Sequence, residues 1–377
     1  MFWQMRIFIL SILIPCIGLA WEVVQEETSV LPMAPVTQTI WKQVVQPAGK
    51  YDLVSLNRYR NSEVPTVAAI FFLPGTNMNG GISILNESHN LWLYLANRGV
   101  DVYAMDYRTH YVSHEVKEID FMKDWTIATF VDDAAMLVKQ VRLLNPEQPL
   151  FISGYSRGVV YAFALAGREN FQGLIALDGG FKKPNPKGFD LASALRQFDT
   201  RADFASILSR RGFVGRTALM RSVLDDPSGP ATNDRYETVG DELGDALYRA
   251  FGDGALANTK DGLSSIRVLA QQLIGYDWYF PSIQNIELRS IALHDDDPAT
   301  EIDDHFGQME LPIIYFGAAN MGAEYILSGI YSAAESGSRD VTLHLLEGYG
   351  HADVLVANSA KEDVYHVIEE WLNDRIN

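Results

Sequence analysis

A chain of 377 residues can bury a large core in one elaborated domain or two, and 47% hydrophobic residues is ordinary for a globular protein. The formal net charge of −18 argues against nucleic acid or an anionic membrane surface as the main partner, because like charges repel. We interpret the acidic excess as a feature that keeps the protein soluble.

Residues 1–20 form a segment unlike the rest of the chain. A basic residue is followed by an apolar run over residues 7–17, and Gly18-Leu19-Ala20 offers small residues at the positions that a signal peptidase reads. The pattern predicts a signal peptide that is cleaved before Trp21, and hence a secreted or periplasmic mature protein. An uncleaved N-terminal anchor is the alternative, although the apolar run is short for a spanning helix.

No other stretch of the sequence is apolar enough to span a bilayer, so we expect no integral membrane span in the mature chain. The one cysteine, Cys16, belongs to the predicted signal peptide. The mature chain would therefore have neither a disulfide nor a thiol nucleophile.

Strands and helices are predicted to alternate from residue 51 to residue 180. The mixed pattern over Tyr51–Arg60 predicts a strand near a sheet edge. Continuous apolar runs are typical of strands buried on both faces of a parallel sheet, and they occupy residues 66–73, 100–105, 150–152 and 171–177. Apolar residues at helical spacing predict helices at residues 86–97, 127–144 and 159–166. This order implies an α/β protein with a mostly parallel, doubly wound sheet.

The alternation stops at residue 181 and resumes at residue 311. A segment as long as residues 181–310 is far beyond an ordinary loop, so we expect it to form an inserted, mainly helical subdomain, which we call the cap. Strands at 311–316 and 341–346, a helix at 323–335 and a last amphipathic helix then complete the pattern. We assign residues 21–180 and 311–377 to the α/β core.

The pentapeptide Gly154-Tyr155-Ser156-Arg157-Gly158 lies between a predicted strand and a predicted helix. In that setting the G-x-S-x-G pattern forms a sharp turn that exposes the serine hydroxyl at the end of the strand. The two glycines leave room for the strand and the helix to approach each other. An ordinary turn serine is the alternative interpretation.

Ligands of an open α/β sheet bind at the carboxyl ends of its strands. The residues predicted at those ends are the glycine-rich loop 74–81, Asp106, Ser156, Asp178, the turn 317–320 and the glycine turn 348–351. A serine, a carboxylate and a histidine are therefore expected to meet at one sheet edge, in that chain order.

These motifs resemble those of the α/β-hydrolase family, in which the nucleophile, the acid and the histidine follow each other in the chain. The resemblance covers the mature chain outside the cap, and it rests on the serine turn, on Pro74-Gly75-Thr76 and on Gly350-His351. It implies that Ser156 is the nucleophile and His351 the general base. It also implies that the backbone N–H groups of Thr76 and Arg157 form an oxyanion hole. No metal and no other cofactor is expected.

The acid is the point at which this sequence departs from the family pattern. The family's usual acid follows the seventh strand, where this chain has Asn320, which cannot supply a charge. Some members place the acid one strand earlier, where Asp178 stands, and we prefer Asp178. Glu324 and Asn320 stay open as alternatives. Asp353 is too close to His351 along the chain to be its partner, so we expect it to fix the turn.

Two other groups of residues allow more than one interpretation. Asp106, His110 and His114 could hold a metal, although loop histidines at this spacing are common without a ligand role. The aromatic stretch from Tyr276 to Phe280 could line an apolar or sugar-binding pocket, or it could be the small core of the cap.

The best hypothesis from the sequence is an exported serine hydrolase that cleaves a carboxylic ester of a small molecule, a lipid or a polysaccharide. The ester comes from the family's common activity and not from any residue of this chain. Acyl transfer to an alcohol, or amide cleavage, would use the same residues. An inert binding protein of the same fold is a further alternative. A dinucleotide-binding enzyme lacks support, since no G-x-G-x-x-G follows the first strands.

Overall fold

A computed structural model describes residues 23–31, 35–184, 191–201, 206–207, 210–253, 263–292 and 302–376. The predicted signal peptide lies outside these described residues. Within the ranges given, no helix is both long and apolar enough to cross a bilayer.

The centre of the fold is a mixed sheet whose strands follow the order β1-β2-β3-β5-β4-β6-β7-β10-β11. The strands of the described chain are β1 (Val23–Val30), β2 (Val36–Val44), β3 (Leu53–Asn61), β4 (Ala68–Leu73), β5 (Val100–Asp106), β6 (Leu150–Tyr155), β7 (Leu174–Leu177), β8 (Ser206–Ile207), β9 (Tyr279–Phe280), β10 (Ile313–Ala318) and β11 (Val341–Leu346). From β5 to β11 along the sheet, all neighbours are parallel, and β1, β2 and β3 pair antiparallel at the other end.

Helices cover both faces of this sheet. The helices of the described residues are α1 (Leu91–Ala96), α2 (Ile127–Leu144), α3 (Arg157–Ala166), α4 (Leu191–Thr200), α5 (Arg210–Asp225), α6 (Val239–Phe251), α7 (Ile266–Ile274), α8 (Ile283–Ala292), α9 (Ala323–Ala334), α10 (Asp353–Val356) and α11 (His366–Ile376). A π-helical turn, Lys361–Tyr365, leads into α11. The cap contributes α4 to α8 and the short antiparallel pair β8–β9, so it is mainly helical.

Strand β4 illustrates why the central strands read as unbroken apolar runs. Successive side chains of a strand point to opposite faces. Ile70 and Phe72 join the apolar cluster on one face, whereas Ala69 and Phe71 join the cluster on the other. Both faces are covered, so every residue of β4 is buried.

Strand β3 is not at the sheet edge, contrary to the expectation for Tyr51–Arg60. Two further strands, β1 and β2, lie outside it. The polar residues that suggested a solvent-facing side are buried: the Asn57 amide donates to Asp106 over 2.8 Å, and the Ser55 hydroxyl also donates to Asp106. Polar alternation in β3 therefore reflects an internal hydrogen-bond network.

The helix predicted at residues 86–97 is shorter than expected. Asn90 has extended backbone angles, and its side chain accepts hydrogen bonds from the backbone of Trp92 and Leu93. This N-cap starts α1 at Leu91 and separates it from a short 3-10 turn at Glu87–His89. The predicted strand at 171–177 likewise begins only at Leu174.

A buried carboxylate joins the cap to the core. Glu287, on α8, accepts hydrogen bonds from the backbone of Ile127 at 2.5 Å and of Ala128 at 3.4 Å, the first residues of α2. Burial raises the pKa of Glu287 to about 7, although the two backbone donors oppose that rise. The carboxyl group of Glu287 thus caps the start of α2, but burial makes its ionised form less stable.

We expect Glu287→Gln to change how stability depends on pH. An acid whose pKa is higher in the folded than in the unfolded protein stabilises fully below its unfolded pKa of about 4.5, and loses that contribution as pH rises through about 7. From pH 5 to pH 8, the unfolding free energy of wild type should fall relative to Glu287→Gln by about 2–3 kcal/mol at most. Urea denaturation at both pH values measures this. The exposed Glu324→Gln is the control, and equal pH dependence in wild type and Glu287→Gln would contradict the prediction.

Candidate active site

Ser156 sits in a sharp turn between β6 and α3. Its backbone angles are φ 56° and ψ −120°, a conformation that non-glycine residues rarely adopt and that costs about 1–3 kcal/mol. Glycines on both sides are required. A Cβ on Gly154 would lie 2.3 Å from the Gly158 carbonyl oxygen, and one on Gly158 would lie 1.9 Å from that of Leu73. The strained turn presents the serine side chain at the carboxyl end of the sheet.

Asp178 and His351 meet at the same sheet edge. Asp178 directly follows β7, and its carboxylate is fully buried. Its Oδ1 accepts a hydrogen bond from the Ala318 backbone N–H at 2.9 Å, and its Oδ2 lies 2.5 Å from His351 Nδ1. The two oxygens of the carboxylate therefore have different partners, one on β10 and one in the turn after β11. This contact fixes the orientation of the imidazole.

Asn320 and Glu324, the alternatives for the acid, have other roles. The Asn320 side chain donates to the Gly348 carbonyl at 2.8 Å and to that of Gly252 at 3.2 Å. Its backbone N–H donates to Tyr349 at 2.9 Å. Asn320 thus ties the histidine turn to the cap. Glu324 is exposed in the first turn of α9.

The turn that carries His351 is also held from the cap side. The His351 backbone N–H donates to the Phe251 carbonyl at 2.8 Å. Asp253 Oδ1 accepts from the backbone of Ala352 at 2.5 Å and of Asp353 at 3.3 Å. Burial, and then the charge of Asp353, raise the pKa of Asp253 well above its usual range. The end of α6 and the residues after it therefore set the position of the histidine.

Asp353 fixes the same turn from within, as expected. Its Oδ2 accepts from the Gly350 backbone at 2.8 Å, and its Oδ1 accepts from the hydroxyl of Ser264, a cap residue.

Aromatic rings surround the His351 imidazole. Tyr155 stacks on it with ring centroids 4.8 Å apart, and Phe251 lies near-parallel at 6.1 Å. Tyr325 meets it edge-on at 5.8 Å. No sequence pattern points to Phe251 or Tyr325, because Phe251 is one of many apolar residues in the cap and Tyr325 is an ordinary position of the helix predicted at 323–335. Tyr155 could have been considered, since it lies inside the G-x-S-x-G motif.

The loop after β4 passes directly beside Ser156. A Cβ on Gly75 would lie only 2.9 Å from the Ser156 Cβ, so Thr76 directly follows a point at which the loop approaches Ser156 closely. The Tyr107 hydroxyl donates to the Pro74 carbonyl at 2.9 Å and holds the start of the loop. The backbone N–H groups of Thr76 and Arg157 remain the predicted oxyanion-hole donors.

The cap also forms hydrogen bonds to this loop and to Arg157, the residue after Ser156. The Asp277 N–H donates to the Asn77 carbonyl at 2.6 Å, and the Asn77 side chain donates to the Asp277 carbonyl at 3.0 Å. Arg157 donates to the Asn285 side chain at 2.5 Å and to the Gln284 carbonyl at 3.4 Å. The guanidinium group therefore binds α8.

The metal site considered for Asp106, His110 and His114 does not assemble. Asp106 accepts from the Gly80 backbone at 2.6 Å, His110 Nδ1 lies 2.9 Å from Asp277, and His114 stacks on Trp278. In the part of the chain that the structure describes, no group of three histidine, cysteine or acidic side chains is arranged to hold a metal.

His110 instead lines a cleft of about 210 Å³ between the loop 78–83 and the cap residues 272–276. Burial opposes its protonation, but the charge of Asp106 and the hydrogen bond to Asp277 outweigh it and raise the pKa of His110 to about 9.

Some residues of the aromatic stretch of the cap line a cleft, and others belong to the interior. Tyr276 lines the cleft beside His110. Tyr279 and Phe280 are buried in β9 and belong to the interior. The sequence alone could not separate them, because they are aromatic residues within one stretch of five.

The chain is similar to known proteins in sequence and in structure. Residues 68–214, less than half of the chain, match the family model Hydrolase_4, described as serine aminopeptidase, S33. No curated protein sequence matches the chain. A crystal structure of a candidate lipase from Sulfolobus solfataricus is similar with a TM-score of 0.71 and 22% identity, over 93% of this chain and 99% of that one.

Other similar structures are more distant. A thermostable carboxyl esterase from Bacillus coagulans has a TM-score of 0.49 at 16% identity, over 90% of this chain and 99% of its own. A monoacylglycerol lipase from Paleococcus ferrophilus has a TM-score of 0.49 at 13% identity, over 85% of this chain and 99% of its own.

The strand order, the serine turn after β6 and the similarity in overall structure define an α/β-hydrolase fold. Within that fold, residues 68–214 resemble the serine aminopeptidase family in sequence.

We expect Gly350→Ala to displace His351. A Cβ there would lie 2.3 Å from the Asp253 backbone nitrogen, which cannot move without moving the cap segment. A displacement of about 1 Å in a catalytic group costs roughly 100-fold in rate. The rate at which a fluorophosphonate labels Ser156 should therefore fall by about that factor. Gly275→Ala is the control, because its nearest neighbour would be Ser83 at 3.8 Å. An unchanged labelling rate in Gly350→Ala would contradict the prediction.

Proposed function

We propose that this protein is a serine hydrolase that cleaves a carboxylic ester through an acyl-enzyme formed on Ser156. In this proposal His351 is the general base and Asp178 is the acid that orients it. The observation that carries the proposal is the buried contact of 2.5 Å between Asp178 and His351, at the sheet edge where the strained serine turn lies. Neither a metal nor another cofactor takes part.

In the proposed reaction, Ser156 Oγ attacks the ester carbonyl carbon while His351 Nε2 takes the serine proton. The N–H groups of Thr76 and Arg157 stabilise the oxyanion, a contribution of roughly 3–4 kcal/mol per donor. His351 then gives the proton to the leaving alcohol. Asp178 keeps Nδ1 protonated, so that Nε2 is the basic nitrogen, and it stabilises the imidazolium that forms.

The choice of an ester rests on similarity to other proteins, whereas the proposed roles of the catalytic residues rest on the geometry of this chain. The similar structure from S. solfataricus is described as a candidate lipase, which favours an ester of a lipid or another small molecule. The family model over residues 68–214 is described as a serine aminopeptidase, which favours an amide as the second candidate. Short p-nitrophenyl esters and aminoacyl p-nitroanilides, compared at equal concentration, distinguish the two.

The alternative to an enzyme is an inert binding protein with the same fold. The absence of an acid at the family's usual position favoured that rival at the level of sequence. In the structure, Asp178 occupies a place from which it reaches His351, and Asn320 has a different set of partners. The geometry therefore supports an enzyme.

We expect Ser156→Ala to abolish both fluorophosphonate labelling and hydrolysis of short p-nitrophenyl esters, because no other nucleophile occupies the turn. Ser153→Ala is the matched control. Ser153 lies in β6, just before the turn, its hydroxyl is buried without a hydrogen-bond partner among the described residues, and its loss should leave both signals intact. Labelling that persists in Ser156→Ala would disprove the assignment of the nucleophile.

We also propose that the protein is exported and that its mature chain begins at Trp21. The support is the pattern of residues 1–20, which is that of a cleavable signal peptide. Expression of the full chain in a host with a secretory pathway should yield an extracytoplasmic protein whose N-terminal sequence starts at Trp21. A chain that keeps residues 1–20 would contradict cleavage.

A further inference from the structure

Tyr325 lies among the three proposed catalytic residues, although neither the sequence nor the proposed mechanism assigns it a role. It belongs to the first turn of α9. Its hydroxyl donates a hydrogen bond to the Asp178 backbone carbonyl at 2.8 Å and lies within hydrogen-bonding reach of the Ser156 side chain. Its ring meets the His351 imidazole edge-on.

The direction of these hydrogen bonds limits what the phenol can do. A phenol has one hydrogen, and here the Asp178 carbonyl accepts it. The oxygen of Tyr325 can therefore act toward Ser156 only as an acceptor. In the resting enzyme it accepts from the serine hydroxyl. Burial, and then the charge of Asp178, raise the pKa of Tyr325 well above its usual range, so the group stays a neutral phenol.

Acylation removes the hydrogen that Tyr325 accepts. Once Ser156 Oγ carries the acyl group, the phenol oxygen faces an ester oxygen that has no hydrogen to donate. An acceptor left without its donor in a buried site costs free energy. Whatever attacks the acyl-enzyme can restore that hydrogen bond only if it brings two hydrogens, one for His351 Nε2 and one for Tyr325.

We propose that Tyr325 directs the acyl-enzyme to water in preference to an alcohol, and so makes the protein a hydrolase and not an acyltransferase. Water has two hydrogens, whereas a simple alcohol has one. The inference rests on the proposed function, and it names the acyl acceptor for the same site.

Deacylation by water needs no further reactant. The water oxygen forms a bond to the acyl carbon, and one of its protons passes to His351 Nε2. The bond between the acyl carbon and Ser156 Oγ then breaks, and His351 returns the proton to Oγ. The second hydrogen stays on the attacking oxygen, where it donates to Tyr325 until the carboxylic acid leaves.

The test is the ratio of ester to acid products when a p-nitrophenyl ester is turned over in the presence of a fixed concentration of methanol. This ratio depends only on how the acyl-enzyme divides between the two acceptors, and a general loss of activity does not change it. In Tyr325→Phe the ring remains and the acceptor is gone. The ratio of methyl ester to acid should then rise roughly 3- to 10-fold, the value of one neutral hydrogen bond.

Tyr315→Phe is the matched control. Tyr315 is a buried tyrosine of β10 and lies near Asp178. Its hydroxyl has no hydrogen-bond partner among the described residues. Its removal should leave the ratio at the wild-type value. An unchanged ratio in Tyr325→Phe, or the same rise in both variants, would overturn the proposal.

A measurement on wild type keeps the proposal testable if Tyr325→Phe does not fold. Ethylene glycol carries a second hydroxyl that can donate to Tyr325, and ethanol does not. Wild type should therefore transfer the acyl group to glycol a few-fold more readily per hydroxyl than to ethanol, and equal transfer would overturn the proposal. If neither acid nor ester forms, or if both form equally in Ser156→Ala, the proposed function itself has failed.

Discussion

The Asp178 carboxylate has no contact with solvent, and each of its oxygens has a different partner. Oδ1 accepts from the Ala318 backbone on β10, and Oδ2 accepts from His351 in the turn after β11. A buried carboxylate without such partners would be strongly unfavourable, so the sites at the ends of three neighbouring strands depend on one another. The backbone of Asp178 continues this arrangement. Its N–H donates to Phe316 at 2.8 Å, and its carbonyl accepts from Tyr325 at 2.8 Å.

The cap reaches three loops of the proposed active site. Asp277 pairs with the loop after β4, Asn285 accepts from Arg157 beside the nucleophile, and Phe251 and Asp253 accept from the histidine turn. A lid that simply opened and closed would need few such contacts. We infer that the described part of the cap is a structural element of the site, and that changes in it alter the positions of catalytic groups without touching them.

Much of this architecture could be predicted because it follows from local patterns. Apolar runs predicted the central strands, and the strained turn at Ser156 follows from its glycines. Other features could not be predicted, since they depend on contacts between distant segments. The polar residues Ser55 and Asn57 predict an edge position for β3, and only the fold shows that Asp106 accepts hydrogen bonds from them. Asp178 was preferred as the acid, but its contact with His351 depends on the order of strands. Asp253 and Tyr325 carry no sequence pattern.

The central claim is that Asp178, not a residue after β10, is the acid of a working triad. The most direct test compares kcat for ester hydrolysis in Asp178→Asn and Glu324→Gln, with folding checked by thermal unfolding. An amide at 178 would let His351 adopt the wrong tautomer, and we expect a loss of roughly 10⁴-fold in kcat. Glu324→Gln should retain wild-type activity, because that side chain is exposed on α9. Full activity in a folded Asp178→Asn, or a comparable loss in Glu324→Gln, would contradict the account.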